Sequence, residues 1–147
     1  MYMDYKDIKF KSGDSNEYSL NDFHGTGLVL YFYPKDNTPG CTTEAIQFTS
    51  LKDDFAKKGY KLVGVSRDSV ASHCNFTEKH NLGITLLSDP DGILAEAFGV
   101  LKDKTMFGRQ YKGIVRSTFI INKEGDLIKE YRNVSPFGHA VNVLADL

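Results

Sequence analysis

Tryptophan is absent from the 147 residues, cysteine occurs only twice and proline four times. Two cysteines are too few for the disulfide framework that staples small secreted domains. No long apolar run is present: the longest, Leu28–Tyr33, has six residues, where a membrane span needs about 18 or more. Neither sign of charge dominates. Lys and Arg number 18 and Asp and Glu 19, a net charge of -1, which gives no general attraction to nucleic acid or to acidic membranes. The opening Met-Tyr-Met-Asp-Tyr-Lys-Asp is polar and does not read as a secretory signal. Repeats, low-complexity tracts and linkers are also missing. The expectation is one soluble, cytoplasmic domain over residues 1–147, of a length that buries a core without covalent staples. Thiols in that compartment stay reduced unless they catalyse or sense. Cys41 and Cys74 therefore call for a chemical explanation.

What is present alternates strand and helix signals. The first 24 residues suggest a short hairpin or edge strand around the turn-rich Ser12–Asn16. Gly27–Tyr33 is a continuous run of β-formers, the pattern of a central strand covered on both faces. Pro34–Cys41 reads as a loop. From Thr42, Ala45, Phe48, Leu51 and Phe55 recur at helical spacing, and Lys57-Lys58-Gly59 is a helix stop. Lys61–Ser66 reads as a second strand, and Asp68 or Ser69 caps a helix to about His80. Ile84–Ser88 is a third strand, Asp89–Gly92 a turn and Ile93–Phe98 a short helix. Val115–Asn122 and Leu127–Tyr131 flank a hairpin turn, and Gly138–Leu147 closes the chain as a helix. This order predicts an α/β fold, a central mixed β-sheet flanked by helices with an N-terminal hairpin, parallel at first and antiparallel late.

The chemistry concentrates in Tyr31–Glu44. Cys41 follows a buried strand and stands at the start of a helix, where unpaired amides and the helix dipole favour an anion. Cysteines at such positions ionise more readily than free thiols, and the thiolate is the nucleophile. Thr38, three residues earlier, carries a hydroxyl that can face the sulfur. Pro34 and Pro39 stiffen the loop. Position alone leaves a buried structural thiol as an equal alternative; Thr38 and Pro39-Gly40 tip the reading towards function.

Pro34-x-x-x-Thr38-x-x-Cys41 resembles the peroxiredoxin active-site pattern, and Tyr31–Ala45 is similar to the peroxiredoxin Q branch, also called bacterioferritin comigratory protein. Val65–Ser69, Leu87–Pro90, Arg116–Ile121 and Gly138–Ala140 agree with it in the same order. The resemblance implies a thioredoxin-like fold and a thiol-dependent peroxidase acting on hydrogen peroxide and alkyl hydroperoxides. It implies Cys41 as the peroxidatic cysteine, Thr38 as hydrogen-bond partner of peroxide and sulfur, Pro34 as a shield from water, and Arg116 as the guanidinium that faces the thiolate. No cofactor and no metal are expected. The expected partners are peroxide and a dithiol reductant such as thioredoxin, with the chain a monomer or weak homodimer.

Two departures stand out. The branch commonly has a resolving cysteine five residues after the peroxidatic one, and here that position is Ile46. Other members place it on the following helix, nearer the position of Thr77, and this chain has Cys74 one turn away on the same helix. At about 100° per residue, Cys74 falls at the margin of the inward face that runs from Phe76 to Val70. Cys74 as resolving thiol gives an intramolecular disulfide cycle. A one-cysteine peroxidase reduced by an outside thiol, and a non-enzymatic peroxide sensor, remain as alternatives. A thioredoxin-type oxidoreductase would want C-x-x-C, whereas Thr42-Thr43-Glu44 follows Cys41. His73, Cys74 and His80 lack zinc-site spacing. The second departure is the N-terminus, which lacks the Ala-Pro-Asp-Phe stretch usual in the family and leaves the arrangement of the first strands open.

Overall fold

The structure, a computed structural model, describes residues 5–147. Two short strands, β1 (Phe10–Lys11) and β2 (Glu17–Tyr18), pair antiparallel as the N-terminal hairpin. Then come β3 (Gly27–Phe32), α1 (Pro39–Ser50), α2 (Lys52–Lys57), β4 (Tyr60–Ser66), α3 (Val70–His80), β5 (Thr85–Ser88) and α4 (Ile93–Ala97). The second half holds β6 (Leu101–Met106), β7 (Arg109–Ile114), β8 (Ser117–Ile121), β9 (Leu127–Tyr131) and α5 (His139–Ala145). The central sheet runs β5-β4-β3-β8-β9. Its β3–β4 and β4–β5 pairs are parallel; β3–β8 and β8–β9 are antiparallel. This is the mixed sheet the sequence order predicts.

All six residues of β3 are buried, because the strand sits mid-sheet with helices or loops on both faces. Its alternation divides the core. Leu28, Leu30 and Phe32 meet Phe10, Val63, Val65, Leu94, Phe98 and Phe119 on one side. Val29, Tyr31 and Tyr33 meet Cys41, Phe48, Phe55, Phe76, Ile120 and Val143 on the other. Period-two geometry thus puts Cys41 in the second layer, under the helices. No helix among the described residues is long and apolar enough to cross a membrane.

Three local features differ from the sequence reading. The helix expected from Thr42 starts at Pro39, with Thr38 as its N-cap residue; proline suits the first helical position because its missing N–H has no partner there anyway. The expected single helix also breaks at Leu51, whose φ of -102° and ψ of 6° redirect the chain into α2. The break keeps the Phe48 and Phe55 rings 5.9 Å apart in one cluster. Finally, β6 and β7 form a hairpin the sequence does not announce. Most of its described side chains are exposed, so no apolar alternation marks it. Its turn is Phe107-Gly108, both at positive φ, rather than the Asn-Gly that usually signals such a turn.

Candidate active site

Cys41 lies in the first turn of α1, 1% exposed. Thr38, just before the helix, makes no capping bond, so its side chain leaves the amides at this end of the helix unoccupied. Its Oγ1 instead donates to the Lys35 carbonyl at 2.9 Å. That commits the hydroxyl hydrogen and leaves the oxygen lone pairs able to accept.

Arg116 comes from the bend between β7 and β8, whose Ser117–Phe32 pairing fixes it beside the end of β3. Its Nη2 lies 3.3 Å from Cys41 Sγ, and its Nη1 donates to Glu44 Oε1 at 2.7 Å. The guanidinium therefore bridges the sulfur and a carboxylate. Gly40 makes the approach possible: a Cβ there would lie 3.3 Å from Arg116 Nη2 and 3.1 Å from Pro136 Cγ.

Glu44 is fully buried, and its Oε2 has no hydrogen-bond partner among the described residues. Burial pushes its carboxyl up to about 7, against the pull of Arg116. The sequence reading does not single out Glu44 as a site residue. A signal for it exists: Cys41, Glu44, Ala45 and Phe48 share one helical face by i, i+3 and i+4 spacing, so a buried Cys41 and Phe48 bring Glu44 inside. The matching cation, Arg116, is 72 residues away in sequence.

Behind the arginine, Thr118 and His139 meet at 2.8 Å through Oγ1 and Nε2. His139 packs edge-on against Phe48 and Tyr131. Desolvation, and secondarily the Arg116 charge, lower it from 6.5 to about 4. The ring is thus neutral at neutral pH and adds no competing positive charge.

The structure brings Cys41 and Arg116 into contact and sets Thr38 one turn before them. Pro34 is on the exposed rim of the loop. Cys74 is elsewhere: half-buried on α3, its Sγ donates to the Gly13 carbonyl in the β1–β2 turn at 2.9 Å. Both cysteines are free thiols. Ile46, five residues after Cys41, is 44% exposed.

A buried sulfur beside a fixed cation at a helix start sets a nucleophilic atom against a positive charge that can receive the negative charge of an attacked molecule. The chain is similar to known proteins over most of its length. The AhpC/TSA family model matches residues 3–130. The peroxiredoxin Bcp of Xanthomonas campestris is 47% identical over 96% of this chain and 88% of its own. That of Bacillus subtilis is 49% identical over 96% and 90%. Among solved structures, the X. campestris bacterioferritin comigratory protein, studied for alkyl peroxide reduction, superposes with a TM-score of 0.92 at 45% identity, covering 97% of this chain and 90% of that one. Two further X. campestris peroxiredoxin Q structures, each with a different cysteine changed to serine, superpose equally well, at 46% and 45% identity with the same coverage. With a family match over most of its length and relatives near half identity across nearly all of it, the chain belongs to the AhpC/TSA family, in its peroxiredoxin Q branch.

Proposed function

We propose that the chain is a thiol-dependent peroxidase in which Cys41 is the peroxidatic cysteine, Cys74 the resolving one and a dithiol such as thioredoxin the final reductant. The observation that carries the reading is the 3.3 Å approach of Arg116 Nη2 to the buried Cys41 sulfur at the start of α1. The Cys41 thiolate attacks one peroxide oxygen. The S–O bond forms as the O–O bond breaks, and the other oxygen takes the electron pair and a proton to leave as water or an alcohol. Cys41 becomes a sulfenic acid. Arg116 and the open helix amides hold charge where it moves onto oxygen. Thr38 Oγ1, its hydrogen given to Lys35, accepts the peroxide O–H and orients it. Pro34 borders the mouth of the site and restricts water.

The sulfenic acid then condenses with the Cys74 thiol, releasing water and forming a disulfide. An external dithiol returns both thiols by exchange and leaves oxidised. Cys74 faces the Gly13 carbonyl, not Cys41, and a disulfide needs Cα atoms about 4.4–6.8 Å apart. Resolution therefore requires helix ends to unwind. Peptide mapping after one equivalent of peroxide tests this: a Cys41–Cys74 linked peptide is expected, and Cys74→Ser loses thioredoxin-coupled turnover. Turnover retained in Cys74→Ser, with no linked peptide in the wild type, assigns the one-cysteine cycle instead.

A further inference from the structure

Beside the site, on the same side of the sheet, is a buried polar cluster the reaction does not use. Asp36 is 5% exposed and His73 fully buried. His73 Nδ1 meets Asp36 Oδ2 at 2.7 Å, and its Nε2 meets the Leu87 carbonyl at 3.0 Å. A carbonyl only accepts, so Nε2 carries a hydrogen. The Tyr33 hydroxyl donates to Asp36 Oδ1 at 2.6 Å and the Ser72 hydroxyl to Oδ2 at 2.8 Å. The Asp36 amide donates to Asp68 Oδ2 at 2.9 Å, which also receives Ser66 Oγ at 2.6 Å. Ligand atoms of Asp36, Asp68 and His73 lie within 4.8 Å of one another, yet both oxygens of Asp36 already receive donors.

The cluster joins two segments that must part. Asp36 belongs to the loop that leads into Cys41. Ser72 and His73 belong to the first turns of α3, immediately before Cys74. Buried polar groups pin the Cys74 turn from two sides, with Leu87 holding it to β5 and Asp36 holding it to the loop, while Cys74 itself reaches the Gly13 carbonyl. We propose that the Asp36–His73 pair is a latch that keeps the Cys74 turn of α3 folded against the active-site loop, and that its release sets the rate at which Cys74 reaches Cys41. The latch stands on the contacts alone; its effect on rate rests on Cys74 being the resolving thiol. Opening it strands a buried carboxylate and imidazole, so the open form is rare. The two residues are positioning residues, since neither touches the sulfur or the peroxide.

The test uses two variants. Asp36→Asn places an amide N–H₂ or a weaker acceptor opposite Ser72 and His73; Ser72→Ala removes one bond and leaves the pair. In a Cys41→Ser background Cys74 is the sole thiol, and its labelling rate by a small aromatic disulfide reads the opening of α3. Labelling rises about tenfold or more in Asp36→Asn and a few-fold in Ser72→Ala. With Cys41 present, the first oxidation by peroxide stays within about twofold. Disulfide formation accelerates, and less sulfinic acid accumulates at excess peroxide. Unchanged labelling in both variants overturns the latch. So does a loss in the first oxidation step as large as the gain in labelling, which would make the pair a support of the loop. If Asp36→Asn does not fold, Ser72→Ala decides by itself. Absence of a Cys41–Cys74 disulfide in the wild type defeats the resolving role of Cys74, and the labelling rates still decide the latch.

Discussion

Replacing Glu44 with glutamine keeps the shape of the side chain and removes its charge, so it isolates what burying that carboxyl does. The carboxyl is raised from 4.5 to about 7 by desolvation, with Arg116 pulling the other way. Between those two values the folded protein holds a proton that the unfolded chain has released. Stability then falls as pH rises, because the unfolded state binds fewer protons. The contribution is fully present below about 4.5 and is gone once pH has risen past about 7. At about 1.4 kcal/mol per pH unit, the span corresponds to about 3 kcal/mol. A Glu44→Gln variant is neutral throughout. Against the wild type it is equally stable near pH 4 and more stable by about 3 kcal/mol at pH 8. Urea unfolding of both proteins in steps from pH 4 to pH 8 measures the difference, and other titrating groups cancel between them. A difference that stays constant with pH, or a wild type that is the more stable at pH 8, refutes the reasoning. Either result would mean that Arg116 keeps Glu44 ionised across the range and that its attraction outweighs desolvation.

Gly40→Ala puts a Cβ 3.3 Å from Arg116 Nη2, so Cys41 oxidation by peroxide slows about tenfold or more while the far-ultraviolet circular dichroism is unchanged; stopped-flow oxidation at the wild-type rate contradicts this. His139, lowered to about 4, leaves the folded state with fewer bound protons than the unfolded chain between pH 4 and 6.5. Its contribution to stability is therefore present above 6.5 and lost as pH falls towards 4, and its ring resonances hold still from pH 5.5 to 8; a ring titrating near 6.5 contradicts the assignment.

The sheet was readable in the sequence where burial imposes a pattern. The unbroken apolar Leu28–Tyr33 marks the central strand, which is covered on both faces. Ser69, expected as a cap, accepts from the Ser72 amide at 3.2 Å. The β6–β7 hairpin was not readable, because strands exposed on both faces have no apolar period to display. The turn from α1 into α2 was equally hidden, since helical spacing continues through Leu51 and only packing redirects it. At the site, Cys41 and Arg116 were legible from motif. Thr38, expected to face the sulfur, instead donates its hydroxyl to the Lys35 carbonyl, a local choice of rotamer that sequence does not encode. Glu44 carries no signal of its own in the sequence, because a charged residue in an amphipathic helix is ordinarily a solvated one. Only the arrival of an arginine 72 residues later gives it a partner inside. Asp36 and His73 illustrate the same limit: each reads as a turn or helix residue until the fold closes them on each other.

The central claim is that the sulfur of Cys41, held beside Arg116, is what peroxide oxidises. Its most direct test is the second-order rate of hydrogen peroxide consumption by the reduced protein, measured by stopped flow for the wild type and Cys41→Ser side by side. The account predicts a wild-type rate far above that of free cysteine and none above background for Cys41→Ser. A wild-type rate equal to free cysteine, or consumption that survives in Cys41→Ser, would contradict it.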